Sequence, residues 1–132
     1  MNHPSLAEFE KNLRRLFDSV DDYLEEKYGD RYRLHPNRPP RGRTASKAHD
    51  GLFNVGASFT AGYGSRYGRG YIVQVDMVTL DHIPQDVRDA IEQEAADLVN
   101  QKLPYYFPER ELTVVRDRNV FKIYGDLRLG EL

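Results

Sequence analysis

The segment Gly62-Tyr63-Gly64-Ser65-Arg66-Tyr67-Gly68-Arg69-Gly70 sets two arginines and two tyrosines among four glycines. Glycine lets a backbone approach a phosphate closely and present its amides, arginine supplies charged donors, and tyrosine offers a flat face for a base. Single-stranded nucleic-acid binders use this combination. The spacing Gly62-x-Gly64-x-x-x-Gly68 is not the dinucleotide fingerprint, and no Gly-Lys-Ser/Thr follows, which excludes a P-loop. The plain alternative is a turn whose glycines relieve strain and whose tyrosines pack locally.

A second basic group lies upstream, with Arg38, Arg41, Arg43 and Lys47 in the stretch from His35 to Asp50. Pro36, Pro39 and Pro40 lack amide donors and restrict their predecessors, so the stretch reads as a long basic loop at about 35–50. Between Asp30 and Gly70, eight basic residues oppose two acids, although the whole chain carries a net charge of -2. Such asymmetry points to a surface that meets an anion. The expectation is that Arg38, Arg41, Arg43 and Lys47 converge with Arg66 and Arg69 on one electropositive surface. Tyr63 and Tyr67 would stack there, and the ligand would bear phosphate, as RNA or single-stranded DNA does. A solvated arginine-rich loop is the competing reading. Pro36-Asn37-Arg38-Pro39-Pro40-Arg41 also matches Pro-x-x-Pro-x-Arg, a ligand pattern for aromatic grooves that recurs often by chance.

Other chemistries find less support. Gly56-Ala57-Ser58-Phe59-Thr60 lacks the closing glycine of a nucleophile elbow, so Ser58 reads as an outward strand residue. Asp21-Asp22 and Glu25-Glu26 read as a solvated helix face. His3, His35, His49 and His82 show no metal-ligand spacing. His49-Asp50 and Asp81-His82 flank a hairpin, and a site joining His49, Asp76 and His82 would be the mark of a metal-dependent enzyme. No catalytic residue, metal or cofactor is assigned; the expectation is a non-enzymatic binding domain.

The elements that must position these residues follow from periodicity. Leu6, Phe9, Leu13, Leu16, Phe17, Val20, Leu24 and Tyr28 recur at spacings of three and four, predicting a helix that opens on a Ser5–Glu8 capping box and stops at Gly29. Phe53 to Ala61 and Tyr71 to Met77 alternate as two strands joined by the glycine-rich tip. Val87, Ile91, Ala95, Leu98 and Leu103 mark a second helix, expected to stop at Pro104. Leu112 to Val115 and Val120 to Tyr124 form a last hairpin, with Asp117-Arg118 as its turn and Val115 opposite Val120. Residues 124 to 130 extend that strand or dock as a tail.

The order α-β-β-α-β-β predicts an α+β fold, two helices packed on one face of a four-stranded, mainly antiparallel sheet. Asn54, Ser58, Thr60, Gln74, Asp76, Thr113 and Lys122 should line the open face. This order does not match the common RNA-recognition, KH or double-stranded-RNA folds. The 132 residues suit a single domain, and nine tyrosines with six phenylalanines are ample for one core. No apolar run approaches a membrane span, no secretory leader is visible, and cysteine is absent, so a cytoplasmic location is expected. The rival to ligand binding is a protein-interaction or homodimerisation module. In it the first helix, about 36 Å long at 1.5 Å per residue, pairs through Phe9, Leu13, Leu16, Val20 and Leu24.

Overall fold

A computed structural model describes residues 4–44 and 47–127. His3 and the stretch Arg128 to Gly130 lie outside the described residues. The first apolar stripe forms α1 (Pro4–Tyr28), two residues longer at its start than an N-cap at Ser5 implies. Proline is tolerated there because first-turn amides have no partner in the helix anyway. The alternating segments form β1 (Phe53–Thr60) and β2 (Gly70–Met77), followed by α2 (Gln85–Tyr106), β3 (Leu112–Asp117) and β4 (Val120–Gly125). All pairings are antiparallel in the order β1-β2-β4-β3, and both helices cover one face. The α+β architecture is thus the one the sequence predicts.

Leu16, Val20 and Leu24 of α1 meet Ile91, Val99 and Leu103 of α2 over Phe53 and Ile123 of the sheet. Each such side chain contributes roughly 1.5–3 kcal/mol by leaving water. Lys27 on α1 bonds Glu94 on α2 at 2.7 Å, and Asn100 on α2 accepts from the Val114 amide at 3.0 Å on edge strand β3. Leu127, past β4, is buried against the core, so the start of the tail docks. Among the described residues, no helix is long and apolar enough to cross a membrane.

Two local expectations are corrected. Pro104 lies inside α2, which runs on to Tyr106. Proline there forgoes one bond, to the Asn100 carbonyl, but the amides beyond it still close the turn, Phe107 onto the Leu103 carbonyl at 2.8 Å. The final hairpin turns at Arg118-Asn119, with Val115 opposite Lys122 and Asp117 opposite Val120. This register differs from the expected one by two residues, so Leu112, Val114, Phe121 and Ile123 keep the helix-covered face. Arg118 accepts a φ of 61° to make the turn. In return Asp117 and Lys122 meet on the other face, and Arg116 lays its guanidinium 4.9 Å from the centre of the Phe121 ring.

The pairings differ in extent. Eight residue pairs join β1 to β2 and six join β3 to β4, but only Tyr71–Ile123 and Ile72–Lys122 join β2 to β4. The two hairpins meet at one end and part below it.

Candidate functional site

The basic loop folds back onto α1. Asp22 on α1 accepts from Arg41 at 3.0 Å and from Lys47 at 2.8 Å, where Lys47–His49 form one 3₁₀ turn. Partial burial opposes ionisation of Asp22, but hydrogen bonds from Lys47 and Arg41 outweigh it and hold the carboxyl below its usual range. Arg38 turns inward and donates to the carbonyls of Asp50, Gly51 and Phe53 at 3.1, 3.0 and 2.9 Å. Asp50 in turn accepts from the amides of Gly42 and Thr44 and from the Thr44 hydroxyl, each at 3.1 Å. Arg38 is therefore a backbone clamp, and Arg41 and Lys47 are internal counterions. Arg43 is exposed. The Pro-x-x-Pro-x-Arg stretch is spent in this loop, because the Arg38 amide closes a turn onto the His35 carbonyl at 2.9 Å.

The acids facing the loop are not all solvated, which corrects the reading of α1's outer face. Glu25 is buried and accepts from the Phe53 amide at 2.7 Å, closing the start of edge strand β1. Burial raises its pKa against the opposing pull of that bond. Asp21, only 3% exposed, is pushed up to about 8 by burial first and then by Glu25, Asp22 and Asp18. Its Oδ2 has no hydrogen-bond partner among the described residues. Asp21 therefore holds its proton at neutral pH.

The glycine-rich tip lies at the other end of the first hairpin. Phe53 pairs with Met77 beside the basic loop, and Thr60 pairs with Gly70 beside the tip. An eight-residue strand at about 3.4 Å per residue separates the two groups by roughly 25 Å. The expected convergence of Arg38, Arg41, Arg43 and Lys47 with Arg66 and Arg69 does not occur.

Rather than projecting, the tip is strapped across the open face of β3 and β4. Lys122, 1% exposed, donates to the Gly68 carbonyl at 2.5 Å and to Ser65 Oγ at 3.2 Å, and pairs with Asp117 at 2.6 Å. Ser65 Oγ donates to Asp117 at 2.5 Å. Hydrogen bonds from Lys122 and then Ser65 hold Asp117 below the usual carboxylate range. Arg118 donates to the Gly64 carbonyl at 2.7 Å, and the Tyr67 ring packs edge-on against Tyr124 at 5.2 Å. Gly62 takes φ of 74°, and a side chain there would collide with the Gly68 carbonyl. Lys122 thus keeps the open face where the strand pattern placed it, but the tip covers it and takes it out of solvent.

What this frame holds outward is the other half of the expected site. Tyr63 is 93% exposed. Arg69 is exposed, and Arg66 is exposed with its guanidinium 5.0 Å from the Tyr67 ring centre. Among the described residues neither arginine pairs with a carboxylate.

The rival sites are accounted for differently. Asp81 takes Arg33 through its amide and guanidinium at 2.7–2.9 Å, Asp50 caps the loop, and His49 and His82 stay exposed. Among the described residues no group of three or more His, Asp or Glu is arranged to hold a metal ion. Ser58 is an exposed strand residue bonded to Gln74 at 3.3 Å. Phe9, Leu13, Leu16, Val20 and Leu24 are at most 6% exposed within one chain, so the helix seam expected for a dimer is spent in the core.

Residues 4–125 match the model of a protein family described as "Uncharacterised protein". The chain belongs to that family. The match runs from the start of α1 to the end of β4, so the basic loop and the tip both belong to the family's fold. A protein of Borreliella burgdorferi, named "Uncharacterized protein", is 41% identical over 125 residues, covering 95% of this chain and 98% of that protein. No solved structure matches the chain.

Proposed function

We propose that the tip is a small anion-binding platform for single-stranded nucleic acid, RNA or single-stranded DNA. In this reading Arg66 and Arg69 contact phosphates, and Tyr63 stacks on a base. The observation that carries it is Tyr63, 93% exposed between two glycines and followed in the same loop by two exposed arginines that no carboxylate neutralises among the described residues. A large aromatic ring held in water on an anchored loop has no use in the core. Burial against a base is what it lacks, and such stacking is worth about 1–3 kcal/mol per base.

The strap from Lys122, Ser65 and Arg118 adds pre-organisation, since a fixed loop loses less entropy on binding than a loose one. The acidic remainder of the chain limits unspecific adhesion to polyanions. The proposal assigns no catalysis and no cofactor, and it places the protein in the cytoplasm, where RNA is at hand.

The test is fluorescence anisotropy of labelled single-stranded RNA and DNA titrated with protein at several salt concentrations. With both arginines engaged, log K should fall against log salt with a slope of about 1.4, at ~0.7 per phosphate on a single strand. Failure to bind at low salt would overturn the reading.

A further inference from the structure

β1 and β3 are the edges of the sheet, and the molecule treats them differently. The Val78 amide donates to the Leu52 carbonyl, so the even-numbered residues of β1 bond inward to β2. Phe53, Val55, Ala57 and Phe59 therefore turn their amides and carbonyls outward. At Phe53 both groups are taken, the amide by Glu25 at 2.7 Å and the carbonyl by Arg38 at 2.9 Å. On β3 the outward Val114 amide is taken by Asn100 at 3.0 Å, and Arg116 puts a charge on that strand. The main chain of Val55, Ala57 and Phe59 has no such outward partner among the described residues. Nor does β1 carry the usual protection of a bare edge. Its eight residues include no charge and no proline, and Phe59 is 59% exposed. The tip is tied to β3 and β4, away from this edge.

We infer that a second copy of this chain adds its β1 to this edge, antiparallel, joining the two four-stranded sheets into one. Self-complementarity selects a second copy over a foreign strand. The free row runs from Val55 to Phe59, with Ala57 at its centre. A two-fold axis beside Ala57 sets the two copies of Ala57 opposite each other, and Val55 of each copy opposite Phe59 of the other. Every outward amide in the row then meets an outward carbonyl. On the helix-covered face the exposed Phe59 ring gains an apolar neighbour in Val55. On the open face Ser58 comes opposite Gly56, so no charge is set against another. The ladder ends at Phe59, one step short of the clamp that Glu25 and Arg38 make at Phe53 of the other copy. The interface is separate from the tip, and its failure would leave the nucleic-acid reading untouched.

The experiment combines sedimentation velocity with amide hydrogen exchange followed by NMR, on the full chain over a range of concentrations. The expected result is a dimer whose formation protects the Val55, Ala57 and Phe59 amides, while those of Gly56 and Ser58, bonded to β2, are protected at every concentration. Ala57→Pro removes the central outward amide and spares the β1–β2 ladder, as prolines on edge strands do. It should weaken association by about tenfold or more, the size of one lost hydrogen bond in each copy, with little change in the melting temperature of the monomer. Phe59→Lys, a change at an exposed side chain, should also shift the chain toward monomer. A chain that stays monomeric at NMR concentrations with all three amides exchanging quickly would overturn the inference and leave the edge to a foreign strand. Slow exchange of the three amides in the dilute monomer would overturn it too, because the edge would already be closed. So would a dimer that forms while these amides still exchange freely, or one that both variants leave intact, since its interface would lie elsewhere.

Discussion

Lys122 and Asp117, on neighbouring strands, bring Nζ and Oδ2 to 2.6 Å beneath the glycine-rich tip. The pair does more than balance charge. Lys122 also reaches the Gly68 carbonyl and Ser65 Oγ, so one buried ammonium ties a loop of the first hairpin to the second. The proposed site depends on this tie, because Tyr63, Arg66 and Arg69 are placed by the loop it holds.

Replacing Lys122 with methionine should therefore act on the tip more than on the core. Apolar volume is kept, but the tie to Gly68 and Ser65 is lost and the Asp117 carboxylate is left without its counterion. The expected outcome is faster amide exchange across residues 62–69, a lower melting temperature, and weaker nucleic-acid binding with Arg66 and Arg69 intact. Unchanged exchange in the tip would show that Lys122 does not hold it.

Gly62 gives a backbone test of the same loop. Its φ of 74° and the nearby Gly68 carbonyl leave no room for a methyl group. Gly62→Ala should destabilise by about 1 kcal/mol or more, whereas Gly56→Ala, at a position with open space, should cost less. Chemical denaturation of both variants decides it.

Asp21 makes stability depend on pH. Its folded pKa is raised from 3.8 to about 8, so the unfolded chain releases the proton first as pH rises. The favourable contribution is complete below about pH 4, shrinks through the window up to about pH 8, and is gone above it, with a slope no steeper than ~1.4 kcal/mol per pH unit. Glu25 is raised in the same direction and adds to the trend. Asp21→Asn should flatten the decline in urea midpoint between about pH 5.5 and about pH 8.5 and be the more stable form at the upper end. A decline of the same steepness in the variant would mean that Asp21 is ionised in the fold.

Arg38 and the core residue Leu16 set the scale for purely structural roles. Arg38→Lys cannot span three carbonyls and should cost about 2 kcal/mol, in the range for hydrogen bonds to a charged group. Leu16→Ala, at a fully buried site, should cost about 3 kcal/mol. Neither should alter nucleic-acid affinity once the protein is folded.

Hydrophobic periodicity carried the fold. The three-and-four stripe of Leu13, Leu16, Val20 and Leu24 and the alternation from Phe53 are local signals of burial, and both reported it correctly. Register at the last hairpin was not legible, because a two-residue slip keeps Val114 and Ile123 on the same face. What distinguishes the observed register is that Asp117 and Lys122 both meet Ser65, contacts across 52 and 57 residues of sequence. The same limit split the candidate site. Composition located two basic groups, but only the fold sets Asp22 under Arg41 and Lys47 and an eight-residue strand between loop and tip. Asp21 and Glu25 look like any solvated helix acids until the loop covers them. The spacing between the buried Leu24 and the acids beside it was the only sequence signal.

The most direct measurement compares three proteins by anisotropy with the same labelled single-stranded RNA at low salt: the native chain, Arg66→Ala with Arg69→Ala, and Arg41→Ala with Lys47→Ala. The account predicts that the native chain binds with a salt slope of about 1.4, that the tip variant loses about tenfold or more in affinity while staying folded, consistent with two lost charge contacts, and that the loop variant binds as the native chain does. Loss of binding in the loop variant with full binding in the tip variant would contradict it.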